Sequence, residues 1–268
     1  MSARPRRGTP YWPVVRAGLW ANPGESVMSV TSRYRAAWEG FWREAPREPG
    51  AVFWDAEPAL TAARHLALFE PRLTDPGLPL VDLGCGNGTQ TRFLAGRFPR
   101  VVGADLSAAA LEHARAADPA GRAAYRLLDA ADKAATQALH AELGDANVYL
   151  RGVLHQCEPD DRQALADGVA TVVGGRGRAF LVEPSEAAGA VLRSMATGPG
   201  GPPPELVPVL RHGIAPGTVA DADVPEFLTA AGLTVLASGT LPLTTTAYAP
   251  DGTRVALPSR WYVTGRGA

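Results

Sequence analysis

Leu80-Val81-Asp82-Leu83-Gly84-Cys85-Gly86-Asn87-Gly88 is the stretch that decides how this chain folds. Four residues of a short apolar strand run straight into three alternating glycines. Glycine lets the backbone come close to a ligand where a side chain would collide. Thr89 to Phe98 follows with helical spacing, so the loop opens onto a helix whose first N–H groups are unpaired and whose dipole is positive at that end. Three glycines are more than a plain turn requires, although dinucleotide-binding folds also use such loops.

Working outward, the same strand-then-helix rhythm repeats. Val101 to Asp105 is expected to be a second strand, with Ser107 capping a helix to about Ala117. Ala124 to Leu128 and Asn147 to Arg151 are expected as strands three and four. Pro159 suits the first turn of a helix to about Val173. Ala179 to Glu183 is a fifth strand. Repeated strand–helix units predict a parallel sheet covered by helices on both faces. Beyond Glu183 the rhythm stops: a short helix is expected from Ala187 to Met195, then the run Gly198 to Pro204, a helix around Val224 to Ala231, and final strands at Leu233–Leu243 and Arg260–Thr264. Pro250-Asp251-Gly252 between those strands predicts a hairpin-like connection.

Two acids give the loop a chemical meaning. Asp105 ends the second strand, where its carboxylate can accept two hydrogen bonds from a ribose diol. Asp129 ends the third, where it can accept one from an exocyclic adenine amine. Loop and acids share the carboxyl ends of adjacent strands, where open α/β sheets bind ligands. Either acid alone could equally be a helix cap.

Val81-Asp82-Leu83-Gly84-Cys85-Gly86-Asn87-Gly88 resembles motif I of the class I S-adenosylmethionine-dependent methyltransferases. The resemblance covers residues 78–185 strongly and the tail through Thr264 in outline. It implies a Rossmann-like doubly wound α/β fold with a seven-stranded, mostly parallel sheet, the last strand antiparallel beside the fifth. It implies S-adenosylmethionine as cofactor, S-adenosylhomocysteine as product, and no metal. Gly84, Cys85 and Gly86 would line the methionine part, with Gly88 completing the loop, and Asp82 would reach its amino group through water. Asp105 would hold the ribose, Leu106 would pack on adenine, and Asp129 and Ala130 would meet the adenine edge. Arg151 would face the methionine moiety with its backbone.

His155 follows the fourth strand in Leu150-Arg151-Gly152-Val153-Leu154-His155-Gln156, a segment also similar to the family. It is either a structural histidine or a base that takes a proton from a substrate, since histidine titrates near neutral pH. Gln156 and Glu183 are further polar candidates facing the acceptor. Tyr34, Trp38, Phe41 and Trp42 have the spacing of one helix face. That face either packs on the core or, with Trp54, caps a substrate pocket, and both roles are compatible.

The chain has 268 residues, 46% hydrophobic and 20% charged, with a formal net charge of −1, so it has no basic excess to draw nucleic acid or a membrane surface. Two cysteines are too few for a disulfide scaffold and suit a reducing cytoplasm. Residues 1–27, rich in Arg and Pro, lack the apolar core of a signal peptide. They are expected to be a disordered extension, or to precede a true start at Met28. Residues 28–76 form a helical, aromatic-rich cap, and 77–268 the methyltransferase domain, with a lid-like insertion at 186–222. The expected function is methyl transfer to the oxygen, nitrogen or carbon of a small molecule, as in specialised metabolism, by a monomer or homodimer. The alternative is a non-methylating enzyme or a binding protein that keeps the cofactor site.

Overall fold

Leu80–Leu83 are all buried, as a strand covered on both faces must be, and they form β1 at the centre of the sheet. The structure is a computed structural model that describes residues 30–197, 201–214 and 219–267. The extension expected over 1–27, and residues 198–200 of the Pro/Gly run, lie outside the described residues.

β2 (Val101–Asp105), β3 (Ala124–Leu127), β4 (Asn147–Arg151) and β5 (Ala179–Pro184) pair in parallel around β1. β6 (Thr234–Thr240) is the far edge, and β9 (Ser259–Gly265) inserts antiparallel between β5 and β6. The seven-stranded order is β3-β2-β1-β4-β5-β9-β6. The chain reverses direction across the sheet between β1 and β4, which opens a crevice at their carboxyl ends.

Each face carries its own core. One buries Tyr149, Phe180 and Trp261 beneath α1 (Val30–Glu44) and α2 (Ala62–Phe69). The Tyr149 and Phe180 rings stack at 6.0 Å, and those of Phe180 and Trp261 at 6.3 Å. The other buries Val81, Val148 and Leu181 against α5 (Lys133–Leu143), α6 (Arg162–Val173) and α9 (Asp223–Ala230). Ser107 caps α4 (Ala108–Ala116) as expected, accepting from the Ala110 N–H.

Several boundaries differ from the sequence expectation. The single helix expected over 57–70 begins as a 3-10 turn at Pro58–Leu60, and α2 starts only at Ala62. Thr61 breaks the run because its hydroxyl is drawn to Gln90 Oε1 at 2.6 Å. The helix expected to reach Phe98 is α3, Thr89–Leu94, followed by turns around Gly96. The strand expected over 233–243 is β6 and ends at Thr240, while Leu243 opens β7 (Leu243–Tyr248), the first strand of the expected hairpin-like connection. β7 pairs with β8 (Arg254–Leu257) across the Asp251-Gly252 turn. This hairpin rests on the N-terminal part of the chain: Thr246 N–H donates to the Phe53 carbonyl, and Arg254 pairs with Glu57 at 2.6 Å.

Gly168 shows why α6 can lie so close to the loop after β3. A Cβ there would fall against the carbonyl oxygen of Ala130, well inside contact distance. Helix propensity alone would favour alanine by about 1 kcal/mol. The backbone collision outweighs it, so Gly168→Ala is expected to cost about 1–3 kcal/mol net, read as a fall in denaturation midpoint. A stabilised variant would show that the loop yields freely.

Candidate functional site

The three loop glycines all take left-handed φ, +73° at Gly84, +55° at Gly86 and +73° at Gly88, so side chains there would be strained. The Gly86 N–H donates to Asp105 Oδ2 at 2.9 Å, and the Ser107 N–H donates to Oδ1 at 2.9 Å. These bonds tie the loop after β1 to the end of β2 and hold the carboxylate in one orientation. Burial pushes the Asp105 carboxyl up to about 6, against the opposing pull of the N–H groups of Ser107 and Gly86.

One cleft brings together Gly84, Cys85, Gly86, Asp105, Leu106, Asp129, Ala130, Arg151, His155 and Gln156 from the sequence expectation. Tyr34, Trp38, Trp42 and Trp54 line it too. Asp82, Gly88 and Glu183 do not line it, for three different reasons. Asp82 lies beneath the loop, almost wholly buried, accepting from the Thr91 hydroxyl at 2.6 Å. Gly88 is a glycine because a Cβ would crowd Ala114 and the Tyr125 hydroxyl. Glu183, expected to face the acceptor, instead accepts the N–H groups of Val153 and Leu154 and both the N–H and Nδ1 of His155. The Cys85 thiol is buried and pushed well up, so it contributes bulk and no nucleophile.

The described residues fit S-adenosylmethionine. Asp105, fixed by two N–H donors, keeps acceptor capacity for a diol, with Leu106 beside it. Asp129 is already engaged: it pairs with Arg35 at 2.7 Å and accepts the Ala131 N–H, so an adenine amine would share this carboxylate. Among the described residues, no group of three or more His, Cys, Asp or Glu is arranged to hold a metal. No helix among them is long and apolar enough to cross a membrane.

Sequence reasoning missed how α1 closes this cleft. Glu39 accepts from the Ser107 hydroxyl at 2.8 Å and from the Ala109 N–H, reinforcing the start of α4. Trp42 presses on Gly86, where a Cβ would come within 2.9 Å of the indole. Arg35, Glu39 and Trp42 follow helical spacing, which was legible, but their partners were not. Asp55 was also missed; it accepts from the Asn87 side chain at 2.8 Å.

Elsewhere in the lining, Trp38 and Trp54 meet edge to face at 5.5 Å. Leu192 of α7 (Ala188–Thr197), Val209 of α8 (Val207–Arg211), and Leu243 and Leu257 of the hairpin complete an apolar wall. His155 lines the same cleft. Its Nδ1 is 2.8 Å from Glu183 and its Nε2 is 2.9 Å from the Gln156 amide nitrogen, while Gln156 Oε1 accepts from the Tyr34 hydroxyl at 3.2 Å. Burial pushes the Tyr34 hydroxyl up, so it acts as a neutral donor.

Asp105 gives a pH dependence with two opposite signs. A ribose diol needs the ionised carboxylate, so affinity for S-adenosylhomocysteine is expected to fall as pH drops through about 6. In the ligand-free protein the folded state takes up the proton before the unfolded one. Its contribution to stability therefore grows over the same descent. Calorimetry across that window checks the first sign; a flat affinity profile would separate Asp105 from the ribose.

Comparison with known proteins agrees with this geometry. Residues 80–177 match a family model described as a methyltransferase domain. A SAM-dependent methyltransferase from Anabaena variabilis of known structure is 33% identical, with 87% of this chain and 95% of that one covered and a TM-score of 0.81. A trans-aconitate 2-methyltransferase from Methylobacterium radiotolerans is 45% identical over 76 residues, 28% of this chain and 26% of that protein. A probable fatty acid methyltransferase from Mycobacterium tuberculosis is 31% identical over 110 residues, 39% of this chain and 26% of that protein. The matches to these two curated relatives thus span about a quarter of their length. With the fold, the loop and the solved relative in agreement, the chain belongs to the class I S-adenosylmethionine-dependent methyltransferases.

Proposed function

We propose that this enzyme transfers the methyl group of S-adenosylmethionine to an oxygen, nitrogen or carbon nucleophile of a small, largely apolar acceptor. The observation that carries this is a single cleft lined by two unlike sets of residues. The glycine loop, Asp105 and Leu106 suit a nucleoside, while Trp38, Trp54, Leu192, Val209, Leu243 and Leu257 suit an apolar body. The printed names of the two curated relatives each point to a small organic acid, and the apolar wall favours an acceptor nearer the fatty kind. In this reading residues 28–76 are a cap and 186–222 a lid, both supplying wall. Both cysteines are free thiols, which supports a reducing compartment such as the cytoplasm.

When bound, the cofactor supplies a methyl group already activated by its sulfonium. The chain aligns the acceptor, keeps water out, and removes a proton where the nucleophile carries one. His155 is the proposed base. Glu183 holds Nδ1, which leaves Nε2 to accept the acceptor's proton as the new bond to methyl forms. Gln156, now against Nε2, must turn aside for that contact. Incubating the chain with methyl-labelled S-adenosylmethionine and a panel of amphipathic acids, phenols and amines tests the proposal. Label in an apolar small acceptor is expected; transfer confined to protein or nucleic acid would overturn it.

A further inference from the structure

α1 crosses the sheet at one helical turn per strand. Arg35 pairs with Asp129 after β3, Glu39 accepts from the Ser107 hydroxyl and the Ala109 N–H after β2, and Trp42 presses on Gly86 after β1. β3, β2 and β1 are neighbours in the sheet. The helical rise from Arg35 to Trp42 and two strand spacings are both about 10 Å, so the match continues along the helix. Asp105, which must meet a ribose diol, is only 8% exposed, and Gly86 is buried. After burial itself, the Glu39 charge on α1 is among the groups that push the Asp105 carboxyl up, which places the helix close above it.

The two halves of α1 are held differently, and Gly40 divides them. After it, Phe41 and Trp42 are buried and pack edge to face on each other, with Trp54 and His113 around them. Before it, the holds are polar: Arg35 on Asp129 at 2.7 Å, Glu39 on Ser107 at 2.8 Å, and Tyr34 on Gln156 at 3.2 Å. The Arg35 side chain is 54% exposed, and an exposed ion pair favours its closed form by a factor of only about 1.5–5. Tyr34 and Trp38, the aromatics of this half, are only half-buried and line the cleft. Gly40 itself is the weakest helix former between the halves. A Cβ there would come within 3.0 Å of the His212 imidazole at the end of α8, so the close approach of that ring keeps the position a glycine. Backbone freedom at such a position is where a helix bends.

We propose that Arg35 and Glu39 are positioning residues of the donor site, acting as latches that hold the first half of α1 closed over the nucleoside. That half swings at Gly40 to admit the donor and release the product, while Phe41 and Trp42 stay seated. This rests on Asp105 and Asp129 being the nucleoside acids. Neither latch touches the reacting atoms: Arg35 acts through Asp129, and Glu39 through Ser107 and the start of α4.

Stopped-flow binding of S-adenosylhomocysteine tests the latches, with the fluorescence of Trp38 and Trp42 on α1 as the signal. Arg35→Met and Glu39→Ala are each expected to raise the association and the dissociation rate constants about threefold, and the double variant about tenfold. Their ratio, the affinity, should stay within about threefold of wild type, because a latch changes how often the helix opens more than what the closed site offers. Faster dissociation with unchanged association overturns the proposal, since residues that merely shape the bound pocket act on release alone. Unchanged rates in the double variant overturn it as well. Gly40→Ala, made in a His212→Ala background so that the new methyl has room, should slow both rates relative to His212→Ala alone; equal rates overturn the hinge. If circular dichroism shows the double variant unfolded, the two single variants decide by the same criterion. Wild-type protein that does not bind S-adenosylhomocysteine sinks the donor-site reading itself, an outcome distinct from failure of the latches.

Discussion

Glu183→Ala is expected to lower the free energy of unfolding by about 3–5 kcal/mol, the largest stability loss of any single change considered. Glu183 Oε1 accepts the N–H groups of Val153 and Leu154 at 2.9 and 3.0 Å, and Oε2 accepts the His155 N–H at 3.2 Å and its Nδ1 at 2.8 Å. The carboxylate is 2% exposed, so nothing replaces it from solvent without rearrangement. Alanine would strand three backbone donors at the start of the 3-10 turn Leu154–Gln156, each worth about 1–3 kcal/mol when buried and unmet. Partial entry of water keeps the total below the sum. Glu183→Gln retains one acceptor oxygen but turns an amide N–H₂ toward donors, so an intermediate loss is expected. Urea denaturation measures both; an alanine variant within about 1 kcal/mol of wild type would mean the turn is held by something else.

That role also marks where the sequence stops being legible. The glycine loop, Asp105 and the strands beside them could be read because their signals are local: an apolar strand, glycines at alternate positions, an acid at the next strand's end; the antiparallel last strand beside the fifth came only from the resemblance to the family. Glu183 ended a strand in the same way and was therefore expected to face the acceptor. Strand alternation puts it on the face of Leu181, away from Val182 and Phe180. No local signal says that residues 152–157 fold back onto that face and consume its carboxylate. Contacts distant in sequence were hidden for a related reason. Arg35 meets Asp129 across 94 positions, and Thr246 meets Phe53 across 193, so helical or strand spacing names the face of each element but never its partner. The hairpin's share of the wall, Leu243 and Leu257, was invisible because a threonine-rich strand says nothing of what it covers. The α1 cap was half legible: its aromatic stripe serves core and cleft together, with Phe41 wholly buried and Trp38 lining the cavity.

His155→Ala separates the two histories open to that residue, and its expected effect on rate exceeds its effect on the fold. Removing a positioned base costs about 100-fold or more in turnover when the acceptor's nucleophile carries a proton. Affinity for S-adenosylhomocysteine should remain within about twofold, because no hydrogen bond of Asp105 or the glycine loop passes through the imidazole. The stability loss should be about 1 kcal/mol, well short of that for Glu183→Ala, since alanine removes one of the four donors on Glu183 and keeps the backbone three. A structural histidine predicts the reverse order: a marked fall in denaturation midpoint with the remaining folded enzyme turning over normally. Gln156→Ala adds a second discriminator. It uncaps Nε2, the atom a base needs, while leaving the Glu183–Nδ1 bond intact. If Nε2 takes the proton, this variant retains most of its turnover where His155→Ala does not. If both lose activity equally, the ordered chain from Glu183 through His155 and Gln156 to Tyr34 is what matters, and the proton leaves by another route.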